Sequence, residues 1–317
     1  MELKSSLQKR GNIRKTSRLN NKHYIWCYIF ILPQLILYLG FTLWPSIAGI
    51  YFSFYNWNGI GWPSDYIGFG NMIEVLKDSY FWNAFGNSFI YTFFLVVLGV
   101  PLSLLVALVL NSPSLKFPVF FRTMFFLPIV LTMAIIGIVM KHMFAFEGGL
   151  VNMLLMNVGI INDPINWLGS TDIVMITLIA VGIWKSLGIK VVYWLAGLQT
   201  LPKELYEAAT IDGANRTQQF FYLTIPLLMP FLLTIAFIQM TWAFNVFDLV
   251  KTFTNGGPFF STDVVPLYIY RNAFSPTSGG LPRMGYASAA GVVYGTATMI
   301  ISIILGILVR KYGSRKY

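Results

Sequence analysis

Six times along this chain a run of mostly apolar residues reaches, or comes close to, the twenty or so that a helix needs to cross a bilayer. The runs are 24–50, 87–110, 121–144, 173–198, 226–250 and 286–309. Lipid offers no water to a bare amide or carbonyl, so segments this apolar must satisfy their backbone internally, as helices. The expectation is an all-α, polytopic membrane protein with six transmembrane helices. Composition agrees: 56% of the 317 residues are hydrophobic and only 11% are charged, against roughly 25% charged in soluble domains. Mean hydropathy is +0.66.

The distribution of lysine and arginine orients the helices. Seven sit in the N-terminal tail, two in the second-to-third connection (Lys116, Arg122), two in the fourth-to-fifth (Lys203, Arg216) and four at the C-terminus, fifteen on one side. Five lie on the other: Lys77, Lys141, Lys251, Arg271 and Arg283. Cytoplasmic loops carry the excess of positive charge, which places both termini and the 199–226 loop in the cytoplasm. The expected organisation is a basic tail over 1–23, a six-helix membrane domain over 24–310 containing the 199–226 loop, and a short tail over 311–317. The first run is too long for a signal-peptide core and no small-residue cleavage site follows it, so it reads as a retained anchor. Its basic flank sets topology, or else touches anionic membrane lipid. The aromatic residues Tyr51, Phe52, Phe54, Tyr55, Trp57 and Trp62 suit the outer interface, or equally the packing of an external loop.

Several functions are excluded. The net charge of +10 is spread over ends and connections rather than gathered on one folded face, so nucleic acid is not an expected partner. No phosphate loop occurs; Gly182-Ile-Trp-Lys-Ser lacks the second glycine and lies within an apolar run. The histidines are His23 and His142, far apart by topology, and the one cysteine is Cys27. Neither a metal site, a disulfide nor a catalytic triad can be assembled from these, so no catalytic residue, no metal and no resident cofactor is expected, and the chain is not read as an enzyme.

The polar stretch between the fourth and fifth runs carries the most information. Leu201-Pro-Lys-Glu-Leu-Tyr puts Pro202 where a first helical turn tolerates it, and Glu204 and Glu207 near the positive end of a helix dipole. Leu205, Ala208, Ala209 and Asp212 share a face, and the two alanines thin it for close approach of a partner. Gly213 supplies the stop. Asn215 then caps a second helix with Gln218 as its capping-box partner.

At Glu207-Ala-Ala-x-x-x-Gly213, followed nine residues later by Leu223-Thr-Ile-Pro226, the sequence resembles the cytoplasmic signature loop of the membrane subunits of binding-protein-dependent ABC importers, with the two aliphatics of the I-x-L-P element exchanged. Leu32-Pro-Gln-Leu-Ile-Leu-Tyr, Phe121-Arg-Thr with Phe126-Leu-Pro128, Phe244-Asn-Val-Phe-Asp-Leu, Thr254-Asn-Gly-Gly-Pro258, Tyr268-Ile-Tyr-Arg-Asn-Ala-Phe274 and Gly285-Tyr-Ala-Ser-Ala289 extend the likeness over nearly the whole chain. They place it beside the carbohydrate branch, similar to the first permeases of maltose-type and glycerol-phosphate-type systems. The resemblance implies a type I ABC importer permease fold in a bacterial cytoplasmic membrane. It also implies a translocation-pore subunit of a carbohydrate importer, of di- or oligosaccharides. A second, homologous permease subunit, two cytoplasmic ABC ATPase subunits holding ATP and Mg, and an extracytoplasmic solute-binding protein would complete it. A non-sugar solute such as glycerol phosphate, or a self-contained secondary transporter, stand as alternatives.

By that resemblance the signature helix docks into a cleft on the ATPase, which assigns coupling to Glu207, Ala208, Ala209, Asp212, Gly213 and Pro226. Polar groups in a bilayer are costly and face a cavity or a partner. The fifth run holds Gln239, Thr241, Trp242, Asn245 and Asp248, of which Trp242, Asn245 and Asp248 fall three apart on one helical stripe. The resemblance gives the stripe to the substrate path; contact with the partner permease is the other reading. Lys185, in mid-run, reads as structural, although pairing with Asp248, an anionic substrate, or snorkelling would also accommodate its charge. Ala287, Gly291 and Gly295 repeat every four residues as a helix-packing strip. Pro33, Pro45 and Pro101 are expected to kink their helices.

Overall fold

The computed structural model describes residues 21–112, 115–274 and 280–313. The basic tail over 1–20, and Arg315 and Lys316 of the C-terminal tail, lie outside the described residues. The chain divides into two units, 1–51 and 52–317.

In the first unit, helix α1 (Asn21–Tyr38) passes through a wide π-turn, Leu39–Leu43, into α2 (Trp44–Phe52). The wide turn has a cause in the sequence. Pro45 carries no N–H and its ring crowds the carbonyl four residues back. The ladder relaxes accordingly, with the Trp44 amide bonding the Leu39 carbonyl.

The second unit is helical, and among its described residues extended pairing is confined to one isolated antiparallel bridge, Tyr55 to Tyr66. Its elements are α3 (Gly70–Lys77), α4 (Ser79–Val97), α5 (Gly99–Leu110), α6 (Pro118–Val130), α7 (Met133–Met143), α8 (Leu150–Asn157), α9 (Thr171–Gln199), α10 (Lys203–Ile211), α11 (Arg216–Gln219), α12 (Ile225–Phe244), α13 (Asp248–Phe253), α14 (Val265–Phe274) and α15 (Met284–Gly313). Among the described residues five helices are long and apolar enough to cross a membrane, and the bent pair α6–α7 brings the number to six.

Two of the expected spans are broken. The run 121–144 is not one helix: Leu131 and Thr132 are extended, and α6 and α7 meet at 103°. The Thr132 hydroxyl accepts from the Ile135 amide and caps α7, and serine and threonine stop helices in this way because they offer the backbone a local partner. The run 226–250 also ends early. Helix α12 stops at Phe244, and α13 begins afresh at Asp248. In contrast α4 and α5 pass through Leu98 as one span of 32 residues, with Pro101 in the first turn of α5.

The pieces beyond the two breaks pack on each other. A side chain at Gly137 of α7 would strike the Thr252 hydroxyl and the Leu249 carbonyl of α13, so its absence sets their approach. Ile136, Leu249, Val250 and Phe253 fill the core there, with Phe144 against Phe253 at 6.0 Å between ring centroids. Helix α9 runs 29 residues without interruption through the middle. It contacts α4 where Gly182 admits the Tyr91 ring, and α5 where the fully buried Trp194 indole donates to the Ser103 hydroxyl at 3.0 Å. A further core joins α3, α4, α12, α14 and α15 around Phe81, Phe244, Tyr268 and Tyr286, and Tyr294 donates to the Phe244 carbonyl at 2.7 Å, the last carbonyl of α12.

Candidate functional site

The polar loop following α9 is an ordered two-helix unit. Gly213 has φ +81°, a conformation that favours glycine, and its amide closes on the Thr210 carbonyl at 3.1 Å. Asn215 accepts from the Gln218 amide at 2.9 Å while the Gln218 side chain accepts from the Asn215 amide at 2.8 Å, a complete capping box. The Gln219 amide group ties back to the Thr210 hydroxyl and the Ala214 carbonyl.

The signature around Pro226 also has a physical account. A second π-turn, Phe220–Thr224, precedes it, with the Ile225 amide bonding the Phe220 carbonyl, just as the first precedes Pro45. Thr224, buried in that turn, shares a 3.0 Å hydrogen bond with the Tyr206 hydroxyl of α10. The proline thus widens a turn whose threonine latches the loop to α12.

Glu207 and Ala208 are exposed on α10, Ala209 is half-buried, and Asp212 is the C-cap residue. Ala209, Asp212, Gly213, Gln218, Tyr222 and Leu223 line a groove of about 380 Å³. Tyr222 is 78% exposed and Ile211 85%, large apolar groups left bare beside charged ones.

Within the membrane-spanning part lies a cavity of about 300 Å³ whose walls include Tyr91, Ile129, Leu131, Lys185, Gln239 and Trp242. Of the five polar residues expected to share a path, it brings together Gln239, which is buried, and Trp242. Thr241 is exposed and spends its hydroxyl on the Phe237 carbonyl at 3.0 Å; Asn245 sits beyond the end of α12 and donates to the Thr241 carbonyl at 2.8 Å. Asp248 opens α13. The single stripe Trp242–Asn245–Asp248 is therefore corrected: it needs a continuous helix, and the break at 245–247 removes one.

Among the described residues Lys185 pairs with no carboxylate, and its ammonium turns to backbone carbonyls rather than snorkelling. Only 8% exposed, it donates to the carbonyls of Pro128 at 2.5 Å, Ile129 at 3.2 Å and Leu131 at 2.8 Å. That partner set depends on the break after Val130, which periodicity does not reveal. Lys190, one turn and a residue further along, is 1% exposed and donates to the Ser186 hydroxyl at 3.0 Å. Of the small-residue strip, Ala287 is buried, Gly291 faces Ile269, and Gly295 meets nothing within 4 Å among the described residues. The tighter contact is Gly285, where any side chain would strike the Phe52 and Tyr55 carbonyls.

Near the opposite face, Arg271 and Asp263 form an ion pair under Gly256, and Asn87 donates to the Asp263 carbonyl at 3.0 Å. Burial pushes the Asp263 carboxyl up to about 6, although the Arg271 charge and hydrogen bonds draw it down. Asp78 accepts from the Tyr268 hydroxyl and, at 2.8 Å, from the Tyr286 hydroxyl. Burial acts to raise the Asp78 carboxyl, but those bonds and the amides of α4 together hold it below the ordinary value. Arg271, Asp263, Asp78, Tyr268, Phe260 and Arg283 border a cavity of about 670 Å³. The sequence offered a signal here in Thr254-Asn-Gly-Gly-Pro258, since Gly256 at φ +82° is what the pair requires.

Known proteins resemble this chain over most of its length. The lactose transport system permease protein of Rhizobium radiobacter is 33% identical, covering 91% of this chain and 96% of its own. A multiple sugar-binding transport system permease protein of Streptococcus mutans is 30% identical, over 90% and 96%. A probable ABC transporter permease protein of Bacillus subtilis is 32% identical, over 92% and 97%. Among solved structures, a chain of a bacterial ABC transporter for import of the acidic polysaccharide alginate superposes with a TM-score of 0.80 at 24% identity, covering 93% of this chain and 98% of that one. That likeness extends to the fold. Residues 67–314 match the family described as binding-protein-dependent transport system inner membrane component, and the chain is a membrane permease belonging to that family.

Proposed function

We propose that this chain is a translocation-pore subunit of an ATP-driven carbohydrate importer, moving a di- or oligosaccharide. The observation that carries the reading is the full-length similarity to permeases named for lactose and multiple sugars. The permease contributes helices and a cavity, and the family works with a solute-binding protein. A second permease subunit forms the other half of the pore. A pair of cytoplasmic ATPase subunits, which hold ATP and Mg, supply the energy.

The exposed α10 supports the coupling role. Glu207 stands clear for a basic partner, Ala208 and Ala209 leave room for close packing, and the groove beside Gly213 and Asp212 is edged by bare Tyr222. A rotation of the ATPases then moves α10, and through the Tyr206–Thr224 latch also α12, as one rigid body. Gln239 and Trp242 at the intramembrane cavity supply a hydrogen-bonding amide and an indole face for a sugar.

The test is uptake and ATP hydrolysis by the assembled complex carrying Glu207→Lys or Gly213→Asp. The expected result is normal membrane levels, with uptake per ATP hydrolysed reduced at least tenfold. Unchanged uptake would sink the coupling assignment, and a complex that takes up no carbohydrate in the parent form would sink the substrate class.

A further inference from the structure

We infer that Lys185 is a positioning residue for the third span: its ammonium replaces the hydrogen-bond donors lost at the helix break and thereby fixes one wall of the intramembrane cavity. Helix α6 ends at Val130. The last four carbonyls of any helix have no amide ahead of them to accept from. At a helix end in water, solvent fills that role; within lipid nothing does.

An ammonium carries three N–H groups and no acceptor. Lys185 Nζ meets three carbonyl oxygens at this one place, those of Pro128, Ile129 and Leu131, at 2.5, 3.2 and 2.8 Å. Donors and partners match in number. The sign of the charge is also right for the negative end of a helix dipole. Three residues further along α9, Gly188 lets the two backbones close, since a side chain there would strike the Phe125 carbonyl and the Ile129 side chain.

The two sides of the break are held differently. Helix α7 is capped by its own Thr132, whereas the end of α6 depends on a residue from another span. Among the described residues the ion pairs are Arg271–Asp263 and Arg283–Glu74, so no carboxylate shares the lysine. Its charge is balanced by carbonyl dipoles. Because Ile129, Leu131 and Lys185 all face the cavity, the position of this knot sets the cavity wall. The inference holds whatever solute the cavity carries.

The test uses the full chain in lipid nanodiscs with Cys27→Ser, and a single reporter thiol at either Met133→Cys beside the break or Asp163→Cys in an exposed loop. The rate of reaction with a small water-soluble thiol reagent is measured for each. Lys185→Met, which keeps the stem and removes the donors, is expected to raise the rate at 133 about tenfold relative to 163. Lys185→Gln, with two donors, is expected to fall between, and Lys185→Arg to remain within threefold of the parent. An unchanged rate at 133 in Lys185→Met, an equal rise at both reporters, or Arg and Met variants that behave alike would each overturn the inference.

Discussion

Arg271 holds Asp263 with both terminal nitrogens, Nη1 to Oδ2 at 3.1 Å and Nη2 to Oδ1 at 3.0 Å, directly under the bare Cα of Gly256. The carboxylate is 1% exposed. Removing its partner strands a charge away from water, which costs about 3–5 kcal/mol in comparable pairs. Arg271→Leu is expected to lower the melting temperature of the purified permease markedly. Adding Asp263→Asn to that variant should restore much of the loss, because the stranded charge is gone. Thermal unfolding of the three proteins in one detergent checks this.

The same carboxyl gives a pH dependence of known sign. Its folded value is raised to about 6 from 3.8, so between those limits the folded chain binds a proton that the unfolded chain has released. Stability contributed by this group is therefore full below the lower limit, declines as pH rises towards 6, and is level above. Asp263→Asn should abolish that decline. Melting temperatures of parent and variant across pH 4 to 7 decide it, and identical slopes would exclude Asp263 as the source.

Two glycines on apolar helices should respond in opposite ways. At Gly137 an added side chain meets the Thr252 hydroxyl and the Leu249 carbonyl, whereas at Gly295 nothing among the described residues lies within 4 Å. Gly137→Val forces α7 off α13 and is expected to destabilise by about 1–3 kcal/mol, the range for overpacked sites. Gly295→Ala should fall within about 0.5 kcal/mol of the parent, as open positions do. If Gly295→Ala instead weakens recovery of a permease pair, that glycine meets the partner subunit.

The capping box makes the loop after α10 measurable by hydrogen exchange. Asn215→Ala removes the acceptor for the Gln218 amide and should cost about 1 kcal/mol locally. Exchange at Gln218 then accelerates roughly fivefold, with amides of α9 unchanged. Mass spectrometry of peptides spanning 171–224 reads both.

Helix content, the number of spans and the turn at Gly213 could be read from residues, because each depends on a local pattern: apolar run length, capping spacing, a glycine at a positive φ. Family membership sets aside the alternative of a self-contained secondary transporter. The breaks at 131–132 and 245–247 were hidden. Neither follows from a proline or glycine placed there; each is stabilised from a distance, by Lys185 in one case and by packing of α13 on α7 in the other. For that reason Trp242, Asn245 and Asp248 looked like one stripe. Pro45 is expected to kink its helix, but what precedes it is a widened π-turn, and a second π-turn precedes Pro226, where the signature spacing gives no sign of one. Lys185 stood out as a buried charge, yet its partners are backbone atoms, which no side-chain pattern encodes.

The uninterrupted course of α9 has a mechanical consequence. Lys185 stands fourteen residues before Gln199, where the helix hands over to the polar loop, a distance of about 21 Å at the usual rise per residue. With the stiff rod pivoting near Gln199, a tilt of only about 5° sweeps the ammonium sideways by roughly 2 Å over that arm, more than half the length of each of its bonds at the end of α6. Small angles imposed at the foot of α9 thus become displacements large enough to make or break the knot in the middle of the membrane.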